Sequence, residues 1–245
     1  DINTKDKRGY SALMIASGNG YIEITRLLLE NGANVNAREN NGITALMIAS
    51  EIRQLEMVKL LIEKRADINA RDNEGSTVLI NASLQGRFEI VKLLVQAGAN
   101  VNAKNTDGNN ALIFAVERMH PDIVKLLLIN HANVNSENKE GWTALMLVSG
   151  CAMPGSGNFE IAGLLISNGA KVNAKNNNLD TPLIIAVSFG KLKILKFLIE
   201  KGADVNAKNK KGKTALDIAM ELTSPNKSEI IRLLKAAGAR SGIGN

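Results

Sequence analysis

Short apolar runs at helical spacing alternate with polar, asparagine-rich stretches along the whole chain, and the alternation is periodic. In FEIVKLLVQAG, Phe88 to Gly98, the residues Ile90, Val91, Leu93 and Leu94 stand three and four apart, which places them on one face of a helix. A shorter run such as ALMIAS, Ala45 to Ser50, precedes it in each period and mixes alanine with larger aliphatics, so that neighbours can approach closely. The pattern predicts two helices per period and a polar connection to the next.

A glycine marks the phase. Gly9, Gly42, Gly75, Gly108 and Gly141 are each 33 residues apart; the next position in register is Leu179, 38 residues on, and Gly212 follows after another 33. Five extra residues therefore enter the fifth period, around CAMPGSG, Cys151 to Gly157. Two residues after each marker stands Ser11, Thr44, Thr77, Asn110, Thr143, Thr181 or Thr214. A side-chain oxygen there can accept from the free N–H groups of a first helical turn, so the first helix starts at this residue. The second helix ends at Gly32, Gly98, Gly169, Gly202 or Gly238, where glycine supplies the left-handed residue after the last turn. Arg65 and His131 take that place in the second and fourth periods, and those two ends should be weaker by roughly 1 kcal/mol each. From this end to the next marker runs a segment such as ANVNAR, Ala33 to Arg38, the expected arm of a hairpin-like finger.

At these residues the chain resembles the ankyrin-repeat family, whose unit is a β-turn followed by two antiparallel helices with a T-P-L-H-x-A signature. TALMIA, Thr44 to Ala49, departs from it with alanine at the proline and methionine at the histidine; only Thr181-Pro182 keeps the proline. The missing histidine removes a bond to the finger that the resemblance implies, so loop order is expected to rest on asparagines such as Asn36, Asn69 and Asn102. The resemblance implies an all-α repeat solenoid, stacked helix-turn-helix units with β-hairpin-like fingers, as a single domain over residues 1–245. Its seven units lie near 6–38, 39–71, 72–104, 105–137, 138–175, 176–208 and 209–240. One such unit cannot bury both faces of its helices, so each needs a neighbour. DINTKD, Asp1 to Asp6, reads as the tail of an earlier unit and the helix from Ile24 to Glu30 as an internal one, so a fragment or an under-capped first unit is expected. SEIIRLLKAAGAR, Ser228 to Arg240, reads as the closing helix.

Composition narrows the chemistry. Aromatics are 3% of the chain, so a core of small and medium aliphatics is expected, and one cysteine, Cys151, excludes an internal disulfide or a cysteine-based zinc cage. No apolar run approaches the ~18 residues of a membrane span. Cytoplasm is the default compartment, with a secreted or host-directed one left open. Residues 1–170 carry 16 basic and 18 acidic groups, a balance of −2, whereas 171–245 carry 14 and 6, a balance of +8.

No catalytic, metal or cofactor site is expected. His120 precedes Pro121-Asp122, a helix start, and it and His131 are read as structural or surface residues. Cys151, in the inserted stretch, has no neighbouring base identifiable from the sequence. AKNKKGKT, Ala207 to Thr214, lacks the first glycine of a phosphate loop, and its Gly212 and Thr214 are already the marker and cap of the last unit. GSGNFE, Gly155 to Glu160, falls short of a dinucleotide fingerprint.

What remains is binding. The resemblance implies a groove for another protein, built from finger tips and the exposed side of the first helix. Directly after the marker stand Tyr10, Ile43, Ser76, Asn109, Trp142, Asp180 and Lys213, seven different residues, whereas Leu13, Leu46, Leu79, Leu112, Leu145, Leu183 and Leu216 do not change. The leucines are expected in the core and the variable column facing outward. Trp142 is either a binding anchor or a packing residue against the adjacent finger. The candidate surface comprises Tyr10, Ile43, Asn109 and Trp142 from that column, Leu84, Gln85, Arg118 and Phe189 from the first helices, and Arg71 and Lys104 flanking from the fingers. The expectation is a monomer with a protein partner. The alternative is polyanion or nucleic-acid binding through Lys208, Lys210, Lys211 and Lys213 with Lys191, Lys193 and Lys196, disfavoured because only Phe189 and Phe197 offer stacking platforms and Phe197 is assigned to the core. A role as the targeting arm of a larger protein also stays open.

Overall fold

The computed structural model describes residues 1–150 and 157–242. It forms two compact units, Asp1–Ala132 and Asn133–Asn245. In the first, α1 (Ala12–Gly18), α3 (Ala45–Glu51), α5 (Val78–Leu84) and α7 (Ala111–Glu117) pair with α2 (Ile22–Glu30), α4 (Leu55–Glu63), α6 (Phe88–Gln96) and α8 (Pro121–Ile129). In the second, α9 (Ala144–Gly150), α11 (Pro182–Ser188) and α13 (Ala215–Glu221) pair with α10 (Gly157–Ser167), α12 (Leu192–Glu200) and α14 (Lys227–Ala236).

Each short helix begins at the expected hydroxyl or amide. The side chains of Ser11, Thr44, Thr77, Asn110, Thr143, Thr181 and Thr214 all accept from a backbone N–H three residues on, 2.9 to 3.4 Å away. Within the first unit α1, α3, α5 and α7 pack side by side in chain order, as do α9, α11 and α13 in the second; the longer helices form a parallel row in each. The seven leucines from Leu13 to Leu216 are all buried.

The fingers are narrower than hairpins. Single antiparallel bridges, Lys5 to Ser11, Arg38 to Thr44, Arg71 to Thr77, Lys104 to Asn110 and Glu137 to Thr143, close them, and no longer strand occurs among the described residues. Asparagine amides tie one finger to the next: Asn36 Oδ1 accepts from Asp67 N at 2.7 Å and Asn69 Oδ1 from Asn100 N at 2.8 Å, while Asn102 Nδ2 donates to His131 O at 3.2 Å. Asn135, Asn173 and Asn206 do the same in the second unit. These are the residues from which finger order was expected.

The marker glycine has a second reason to be glycine. At Gly42 φ is +82°, and a Cβ there would lie 3.0 Å from the backbone nitrogen of Asn73 in the next finger. Leu179, without that choice, takes the left-handed conformation at φ +58° and leaves its side chain exposed. Arg65 and His131, at φ +66° and +63°, hold the same conformation at the ends of α4 and α8.

The first helix pair carries its apolar side uncovered. Ile24 is 50% exposed, whereas Met57, Ile90, Ile123, Ile161, Ile194 and Ile230, its counterparts in register, are all buried. Leu27, Ile15 and Tyr21 of the same helix pair are exposed as well.

Candidate functional site

Side chains not consumed by packing or capping fall on the fingers and on the C-terminal ends of the short helices. The column after each marker is less open than the sequence suggested. Tyr10, Ile43, Asn109, Trp142, Asp180 and Lys213 are half-buried, and Ser76 is buried. The reason lies in the turn. At each tip the side chain of Asp6, Glu39, Asp72, Asn105, Asn138, Asn176 or Asn209 accepts from the backbone N–H of this residue, pulling it back against its own finger.

Tyr10 additionally lies under the Arg8 guanidinium, 5.1 Å from the ring centroid. Trp142 is half-buried and is not one of the fully buried core residues.

Arg71 and Lys104 are exposed, as expected of flanking residues, but Arg71 is also a stitch. Its guanidinium donates to Lys104 O at 2.6 Å and to Gly75 O at 3.0 Å, and Arg38 donates in the same way to Arg71 O. Lys5 Nζ donates to Arg38 O at 2.8 Å, so Lys5, Arg38 and Arg71 each bond to the finger that follows.

The short helices offer little exposed side. In α5 and α7 five of seven residues are buried; what they present outward is half-buried Asn81 and Phe114 in mid-helix and their C-terminal ends. Gln85, Arg118 and Phe189 all prove to be C-cap residues of such helices, with Leu84 one position before Gln85. Arg118 is exposed, Leu84 and Gln85 half-buried, and Phe189 57% exposed with its ring resting against Gly150. Ile52, the C-cap of α3 and 41% exposed, belongs to this set and was missed. Its register with Gln85 was the available signal.

The basic finger is partly spent on the fold. Lys208 Nζ donates to Gly242 O at 2.9 Å, and Lys213 Nζ grips Glu221 at 2.5 and 2.7 Å. Phe197, assigned to the core from sequence, is instead half-buried and pairs with Phe159, ring centroids 4.7 Å apart. Cys151 and most of CAMPGSG lie outside the described residues. Among the described residues no three His, Cys, Asp or Glu side chains gather as metal ligands would, and no helix is long and apolar enough to cross a membrane. His120 occupies the N-cap position of α8 ahead of Pro121 without a side-chain capping bond, and its ring covers Gly86.

A family model described as ankyrin repeats, three copies, matches residues 1–72, 38–105, 79–176, 112–209 and 148–243, between them nearly the entire chain. No curated relative matches it.

Proposed function

Because the chain belongs to the ankyrin-repeat family, whose members are in general protein-interaction modules, we propose that it binds a protein partner through its finger tips and the C-terminal ends of its short helices. The reading rests on one contrast. Seven register-equivalent leucines are identical and buried, while seven register-equivalent finger residues all differ and six of them keep a solvent-facing part. A frame repeated to hold a fold, bearing a column of unlike side chains, suits recognition rather than chemistry of its own.

Within each unit the anchors would be its apolar members, since buried aromatic and aliphatic side chains dominate binding energy. These are Tyr10 and Ile43 in the first unit, Trp142 and Phe189 in the second. Asn109, Arg71, Lys104 and Arg118 would supply a polar rim, with Leu84 and Gln85 contributing at the edge. Fingers already cross-linked by amides and cations lose little freedom on binding, which lowers the ordering cost.

A partner isolated by cross-linking to the intact chain and then measured by calorimetry supplies the test. Trp142→Ala and Ile43→Ala should each weaken it by about tenfold or more, about 1.4 kcal/mol, with the thermal midpoint nearly unchanged. Unaltered affinity in the double variant would remove the finger surface from consideration.

A further inference from the structure

The row of longer helices contains one place where the repeat breaks its own pattern twice. At the repeat position of Glu23, within the first turn of each of these helices, six carry an acid, Glu23, Glu56, Glu89, Asp122, Glu160 or Glu229; α12 alone carries a cation, Lys193. Cations at a helix N-terminus oppose the macrodipole, so this choice works against local stability. One turn further on, six helices carry leucine, Leu27, Leu60, Leu93, Leu126, Leu164 or Leu233, and α12 alone carries Phe197. The two departures meet in space.

Phe197 stands with Phe159 of α10 on the wall of a cleft of about 800 Å³, whose rim includes Lys191, Lys193 and Lys196. The lining is chiefly apolar, with Leu192 and Ile194 adding to the two rings. Phe159 is 49% exposed. Lys201 Nζ sits 5.5 Å from the centre of the Phe197 ring, adding a fourth cation at the edge. Against these stand Glu200 on the rim and Glu229, the latter already held by Arg232 at 2.7 Å and by Lys196 at 3.7 Å. Lys191 and Lys193 make no ion pair among the described residues.

We propose that this cleft between α10 and α12 is a second docking site, for an acidic protein segment that lays one bulky apolar side chain against the paired rings of Phe159 and Phe197 and sets carboxylates against Lys191 and Lys193. A volume in the usual range for ligand sites, an aromatic wall and a rim on which cations outnumber the one acid are what such a segment requires. No finger residue lines the cleft; its Gly190 directly follows Phe189, so the two sites are told apart by Trp142 and Ile43 and not by Phe189.

The test is an NMR titration of the full ¹⁵N-labelled chain with a twelve-residue peptide of Asp and Glu around a central Trp-Leu pair, taken to about 1 mM, the weak end of specific recognition. Amide shifts should concentrate at residues 190–197 and around Phe159. They should vanish for peptides whose acids are replaced by amides or whose Trp-Leu pair becomes Gly-Ser. Lys191→Glu with Lys193→Glu should weaken binding by about tenfold or more while the acids favour the α12 N-terminus and keep the fold. Phe159→Ala should weaken it similarly. The proposal is overturned if no shifts appear at 190–197, if they centre on Lys210 and Lys211, if the charge reversal changes nothing, or if laurate fills the cleft while the peptide does not.

Discussion

Arg65 and His131 show what one residue contributes when it stands in a glycine's place. Both hold a left-handed backbone at φ +66° and +63°, a conformation disfavoured for any side chain by about 1–2 kcal/mol. At the equivalent Gly32, Gly98 and Gly202 a Cβ would meet nothing within 4 Å, so backbone strain, not crowding, separates the two choices. Arg65→Gly and His131→Gly should each raise stability by about 1 kcal/mol in urea unfolding, less a fraction for the freer unfolded chain. These positions were legible in the sequence because the turn chemistry repeats. The burial of Ser76 and half-burial of Trp142 were not, since the bond from the Asn138 side chain to the Trp142 N–H depends on finger geometry that spacing alone does not reveal.

Among the elements, α13 is the one most firmly capped. Asp217 completes a reciprocal cap with Thr214 and also accepts from Ser241 Oγ at 2.6 Å and Gly242 N at 2.7 Å, so the residues after α14 are fastened to the start of α13. Burial pushes the carboxyl up, but the bonds from Ser241, Thr214 and Gly242 outweigh it and bring the pKa down to about 2 from 3.8. A pKa lowered by folding contributes stability that is present above about pH 4 and is lost as pH falls toward about 2. Asp217→Asn should therefore lower the melting temperature at pH 7, with a loss of about 2 kcal/mol, the scale of hydrogen bonds to a charged group. Its difference from the parent should shrink when both are melted near pH 2. The cap at Thr214 was readable from its place after Gly212. The contribution of Ser241 was not, because 24 residues separate it from Asp217.

For the molecule as a whole, identical side chains differ in worth according to what lies beside their helix. Leu27 is 61% exposed while Leu60, its counterpart one period later, is buried. Leu27→Lys should leave the denaturation midpoint within about 0.5 kcal/mol of the parent, whereas Leu60→Lys buries a charge and should destabilise by more than about 3 kcal/mol. Equal losses in the two variants would mean that Leu27 is covered in solution. The periodic frame could be read from the chain because each repeat states it again. The cleft at Phe159 and Phe197 could not, because it arises from side chains on two helices in different repeats, and leucine-to-phenylalanine is invisible to a pattern of apolar positions.

The amide ties also span unequal lengths of chain. Asn36 reaches a residue 31 positions ahead, whereas Asn135, doing the same task, reaches Lys171, 36 positions ahead, and the bond measures 2.8 Å rather than 2.7 Å. The five added residues have thus left the finger edge in register. Length gained between one finger and the next is decoupled from the amide tie, so a longer period does not have to be matched by a longer finger.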